Sequence, residues 1–178
     1  MTLFTVGLFT SMLYSNLNSP NFTALEDDMI TPEMLAEFDL FKDISKDTLQ
    51  EVAAISKTIK VEKGSYVFRE GDKADKLHLL ISGSIALRVN LTSRPDSVTV
   101  SFVNRPHQTL GWSGVVAPNH YTASAYCEED TELLVLPSDE FLQILDKHTD
   151  AGYKVMLRIT QIISDRLRNS RQALLKTL

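Results

Sequence analysis

The chain has 178 residues, 43% hydrophobic and 23% charged, a balance that fits one globular domain with an appendage. Its formal net charge of −5 argues against nucleic acid, because binding phosphates needs a basic face. A single cysteine, Cys127, excludes an internal disulfide and every C-x-x-C zinc spacing; its thiol is read as buried in a strand.

The first 25 residues carry no charged side chain. Residues 3–13 are apolar but interrupted by Thr5, Gly7, Thr10 and Ser11. That run is shorter than the roughly 20 apolar residues a membrane helix needs, and it lacks the basic start of a secretory signal. Residues 1–28 are therefore expected to be an extension, disordered or upstream of a start at Met29. Residues 29–178 are expected to form one cytoplasmic domain with no membrane anchor.

Thr31-Pro32-Glu33 opens a short helix: a capping hydroxyl, a proline in the first turn, then an acid. Ser45 is a second cap, and Leu49, Val52 and Ala53 give the helix behind it one buried face. From Lys57 the period changes to two. Ile59 and Val61, then Leu77, Leu79 and Ile81, then Ile85, Leu87 and Val89, then Val98, Val100 and Phe102 alternate mostly with polar neighbours. Such runs are half-buried antiparallel strands. Gly64, Gly71, Gly83 and Gly111 fall between them, where tight turns need positive φ. Further strands are expected in 121–127 and 132–136. Ser138 is read as the cap of the next helix and Asp150 as the cap of a last helix to about Leu175. Met156, Ile159, Ile163 and Leu167 on that helix approximate a heptad seam, which predicts a homodimer. Many short strands between terminal helices predict an antiparallel jelly-roll β-barrel, a double-stranded β-helix, with short N-terminal helices and a long C-terminal one.

The residues at the turns carry a resemblance. Phe68-Arg69-Glu70-Gly71-Asp72-Lys73-Ala74-Asp75-Lys76-Leu77 resembles the E-G-D-x-x-D-x-(apolar) turn of cyclic nucleotide-binding domains, the effector domains of the catabolite activator type. Gly83-Ser84-Ile85 resembles that family's next turn, and Leu40-Phe41-Lys42-Asp43-Ile44-Ser45 its entry to the leading helix. The resemblance covers about 40–175. It implies a regulatory module with no catalytic residues and no cofactor. It also implies a phosphate-binding cassette: a strand ending in Gly-Glu, a short helix, a loop, then Arg-(small)-Ala. The helix start presents amides to the phosphate, the arginine supplies a charged fork, and the glutamate accepts from the ribose hydroxyl.

Here the cassette departs from that pattern. Gly111 matches the glycine, but Trp112 stands where the glutamate belongs and Tyr121 where the arginine belongs. No acid or arginine lies between Gly111 and Ala125, so a small shift in alignment restores neither. Ordinary binding of cAMP or cGMP is therefore expected to be weak or altered. The candidate ligand-binding residues are Gly111, Trp112, Ser113, Gly114, Tyr121 and Thr122. Trp112 offers a stacking face, Ser113, Tyr121 and Thr122 offer hydroxyls, and His120 offers a titratable ring. The amides of 113–115 are expected to hold an anion. The resemblance also places Ser170 and Arg171 where relatives cover the adenine.

His78, His107, His120 and His148 form no H-x-H, which a metal-binding cupin barrel would want, and each is read as structural or on the surface. No hydrolase, P-loop or metalloprotease motif occurs. DNA-binding relatives add a helix-turn-helix module after the long helix. Arg166, Arg168 and Arg171 alone do not read operators, so no direct DNA binding is expected. Two functions remain. One is a sensor of a cyclic nucleotide or another small anion. The other is a degenerate copy that acts through protein contacts.

Overall fold

The computed structural model describes residues 22–24, 29–91 and 96–176. The leading helices form where their caps allow. The Thr31 hydroxyl accepts the Met34 amide at 3.2 Å and starts α1 (Pro32–Ala36). A 3-10 turn (Asp39–Phe41) follows. The Ser45 hydroxyl then accepts the Thr48 amide at 3.3 Å and starts α2 (Lys46–Ile55).

Nine strands occur among the described residues: β1 (Phe22–Ala24), β2 (Lys57–Val61), β3 (Tyr66–Phe68), β4 (Lys76–Ser82), β5 (Ile85–Asn90), β6 (Ser97–Val103), β7 (Thr109–Leu110), β8 (Ser124–Cys127) and β9 (Thr131–Pro137). They pair antiparallel into two sheets, ordered β1-β2-β9-β4-β7 and β3-β8-β5-β6. Two helices close the chain, α3 (Ser138–Lys147) and α4 (Thr149–Lys176). This is the expected jelly roll with flanking helices. Of the expected extension, Phe22–Ala24 pairs along β2, so this short piece adds a strand to the first sheet. Residues 1–21 and 25–28 lie outside the described residues.

The first sheet is buried on both faces, and its pleat sorts two cores. Leu77, Leu79, Leu134 and Leu136 face the helices, packing with Leu35, Phe41, Phe141 and Ile159. Leu80, Leu133 and Val135 face the second sheet, packing with Ile85, Val103, Ala125 and Cys127. Each fully buried leucine contributes about 1.5–3 kcal/mol, so both faces hold the sheet in register. The glycines at the turns adopt the expected left-handed conformation, Gly71 at φ +86° and Gly83 at φ +97°. Gly83 has a second reason to lack a side chain, since a Cβ there would lie 2.6 Å from the Asp130 carbonyl oxygen.

Two helix starts differ from expectation. Ser138 is the first helical residue of α3 rather than its cap, and Pro137 occupies the cap position with no side-chain bond. Asp150 sits within the first turn of α4, where its charge faces the positive helix end without capping it. The expected seam on α4 is split. Ile159 is 1% exposed and Ile163 packs on the same core, while Met156 is 39% and Leu167 71% exposed. The inward face runs Val155, Ile159, Ile163 because α4 lies on its own domain.

Candidate functional site

The cassette begins where β7 ends. Gly111 turns the chain in the left-handed region, φ +73°. A Cβ there would lie 3.0 Å from His78 Nδ1 and 3.3 Å from Tyr121 Cε1. Residues Trp112–Gly114 then form one 3-10 turn. Its Gly114 and Val115 amides donate to the Gly111 and Trp112 carbonyls, each at 3.0 Å. The sequence predicts an anion over the amides of 113–115. Two of the three amides already have partners, because a tight i→i+3 turn uses them internally.

Gly114 is glycine for packing. A Cβ there would collide with Ser138 Oγ and would lie 2.8 Å from the Lys76 carbonyl oxygen. Ser113 is buried, and the Asn119 side chain donates to the carbonyls of Ser113 (3.3 Å) and Gly114 (3.1 Å). Asn119 holds φ +59°, a conformation asparagine tolerates, and its own carbonyl accepts the Ala74 amide at 2.8 Å. One asparagine thus pins the cassette to the 70–76 turn.

Trp112 packs against the core beneath the helices. Tyr121 is buried at the other end of the loop. Its ring stacks on Phe68, with centroids 3.8 Å apart and planes 11° from parallel, and its hydroxyl donates to the Lys76 carbonyl at 3.1 Å. Burial, then the Asp75 carboxylate, pushes that phenol well above its ordinary pKa. Tyr121 is therefore a neutral donor already in use. Thr122 is exposed, and so is His120, whose Nδ1 lies 3.0 Å from the Pro118 carbonyl. The structure brings Gly111 and Tyr121 together, sets Trp112 and Gly114 toward the helical side, and leaves Thr122 at the surface.

Three residues matter more than the sequence indicated. His78 faces the space between the sheets, opposite Leu110, with its ring 5.4 Å from Phe68. It is 3% exposed and its Nδ1 has no hydrogen-bond partner. Burial, and secondarily the Lys76 charge, lowers its pKa from 6.5 to about 3. Phe68 was legible only as a residue of the family-like turn, because β3 is too short to show a period. Arg166 donates to the Ser101 hydroxyl and the Phe102 carbonyl, fastening α4 to β6; nothing local in the sequence marks that long-range contact.

Arg88 is the arginine of the second sheet nearest the cassette in register, through its pairing with Ser124. It is turned away, lying 3.6 Å over the Tyr126 ring and bonded to Glu128 at 2.7 Å. No group of three or more His, Cys, Asp and Glu able to hold a metal occurs among the described residues. No helix there is long and apolar enough to cross a membrane. A polar cleft of about 610 Å³ lies elsewhere, between the start of α2 and the α3–α4 junction. Its Lys147 and His148 both face Glu51, at 2.7 and 3.0 Å.

A two-sheet jelly roll with a short 3-10 turn between β7 and β8 defines a class of folds, and comparison with known proteins places the chain in a family. Residues 58–148, a little over half of the chain, match the family model described as the cyclic nucleotide-binding domain. The chain belongs to that family. It is 35% identical over 94 residues to the anaerobic regulatory protein of Bacillus subtilis, covering 52% of this chain and 39% of that protein. It is 28% identical over 136 residues to glutaminase 1 of Bradyrhizobium diazoefficiens, covering 75% of this chain and 21% of that protein. The chain thus spans well under half of either relative. A crystal structure of a cyclic nucleotide-binding domain from Methylobacillus flagellatus superposes with a TM-score of 0.72 at 21% identity, covering 89% of this chain and 90% of that one. That likeness speaks for the fold.

Proposed function

We propose that this chain is a non-catalytic sensing module whose altered cassette binds cyclic nucleotides weakly or not at all. The observation that carries the reading is the state of Tyr121. It stands where the family's arginine would meet the phosphate, yet it is neutral, buried and bonded to the Lys76 carbonyl. A cyclic phosphate entering here would lose water and gain no cation. Trp112, in the glutamate's place, lies against the core under the helices and offers a ribose hydroxyl no carboxylate. Any ligand would meet the cassette at Gly111 and Tyr121, which lie side by side, and at the exposed Thr122.

A thermal-shift panel of cyclic nucleotides tests this reading. Ligand at 100 times its Kd stabilises a protein by about 2.7 kcal/mol. Millimolar cAMP and cGMP are expected to give about half of that or less. A full-sized shift with either would contradict the proposal.

A second reading, a non-binding module acting through protein contacts, has its own observation. Tyr153, Met156, Leu157 and Leu167 on α4 are all substantially exposed. They favour a homodimer through that helix.

A further inference from the structure

The outer face of the second sheet departs from what contact with water demands. Ile85, Val103, Ala125 and Cys127 face the first sheet, so Ala86, Phe102 and Tyr126, one position along each strand, face away. The register then lines up Tyr66, Tyr126, Ala86 and Phe102 as one row across β3, β8, β5 and β6. A sheet with one face in solvent ordinarily sets polar residues outward, and this row holds aromatic rings instead. The Tyr66 and Tyr126 rings meet edge to face with centroids 5.1 Å apart. Phe102, at the far end, is 51% exposed.

Two arginines lie over these rings. The guanidinium carbon of Arg69 is 3.9 Å from the centre of the Tyr66 ring, and that of Arg88 is 3.6 Å from the Tyr126 ring. The carboxylates that flank them are engaged. Glu128 holds Arg88 at 2.7 Å, Glu70 accepts the Asn90 amide at 2.8 Å, and Asp72 accepts the Arg69 amide at 3.1 Å. No carboxylate pairs with the Arg69 guanidinium among the described residues. The charge left unmatched on the row is therefore a cation.

We propose that this row is a docking surface for an acidic peptide segment of another protein, with a carboxylate on the Arg69 fork and an apolar side chain over Phe102. Aromatic residues and arginine are enriched in protein interfaces, and tyrosine and arginine are enriched among the few residues that carry most of the binding energy there. A guanidinium already held over a ring loses little freedom on meeting a carboxylate, and its planar fork matches that group with two hydrogen bonds. One unmatched cation does not neutralise a run of phosphates, so nucleic acid fits less well. The row faces away from the barrel interior, so a failed test here leaves the reading of the cassette untouched.

Fluorescence anisotropy of the full chain with a labelled peptide of alternating aspartate and phenylalanine tests this, against the same peptide with lysine for aspartate. The acidic peptide is expected to bind and the lysine peptide not. Arg69→Gln and Phe102→Ser are each expected to weaken binding about tenfold, the worth of one charge-assisted bond or of covering one ring. Tyr153→Ser, on the exposed side of α4, is expected to leave it unchanged. An acidic peptide that does not bind, a lysine peptide that binds equally, or unchanged affinity in Arg69→Gln would overturn the proposal. So would a loss of binding in Tyr153→Ser, which would move the site to α4. Should the chain prove to be a dimer that Phe102→Ser breaks, a second copy covers the row and the acidic partner falls. The substituted residues are all exposed, and the two peptides compared on the wild-type chain decide even if a variant folds poorly.

Discussion

Burial holds the His78 imidazole neutral, and this gives the protein a pH dependence of known sign. The folded pKa is about 3 against an ordinary value of 6.5. Between those values the unfolded chain binds a proton that the folded chain refuses, so stability is fully present above about pH 6.5 and is lost as pH falls toward 3. At pH 4.5 the loss from this residue amounts to about 2–3 kcal/mol. Urea unfolding at pH 7 and pH 4.5 isolates it: His78→Phe should gain that amount relative to wild type on acidification. Identical pH dependence in both proteins would show that His78 is not held neutral. Gly114 makes a second residue-scale test. Gly114→Val forces a side chain onto Ser138 and the Lys76 carbonyl and should cost roughly 1–3 kcal/mol through overpacking. An unchanged urea midpoint would mean that the turn does not sit where it is described.

Among the elements, legibility followed length. β2, β4, β5 and β6 hold five to seven residues each, enough for a period of two to appear, and β9 is legible as a continuous apolar run over 133–136. β3 and β7 hold three and two, and no pattern can form in so few positions. β4 shows a different limit. Its odd positions read as core and His78 as the polar side, yet both faces are buried because this sheet lies between helices and a second sheet. The cassette residues were found through the family's turns, whereas their directions were not. Whether Trp112 faces the barrel or the helices depends on how the 3-10 turn leaves Gly111. The long helix carries the element-scale prediction. Arg166 bonds to the Ser101 hydroxyl and the Phe102 carbonyl, and bonds from charged donors are worth about 1.5–3 kcal/mol. Arg166→Ala should raise amide exchange across the second half of α4 and leave β4 and β9 protected. Unchanged exchange would mean that apolar packing alone holds the helix.

At the scale of the whole molecule, α4 serves two surfaces. Val155 and Ile159 are buried in the domain, and Tyr153, Met156, Leu157 and Leu167 lie open. A homodimer would bury those four, and light scattering at tens of micromolar should then give twice the chain mass. Leu167→Glu with Met156→Glu should return it to one. A wild-type mass of a single chain would remove the dimer.

The most direct test of the altered cassette is calorimetry of the purified chain with cAMP. Losing the arginine and the carboxylate each forfeits a charge-assisted bond, together about two to four powers of ten in affinity if the losses add. The account predicts no heat of binding below roughly 100 μM cAMP, a bound that follows from applying that loss to a micromolar site. A Kd in the low micromolar range or tighter, with one site per chain, would contradict it.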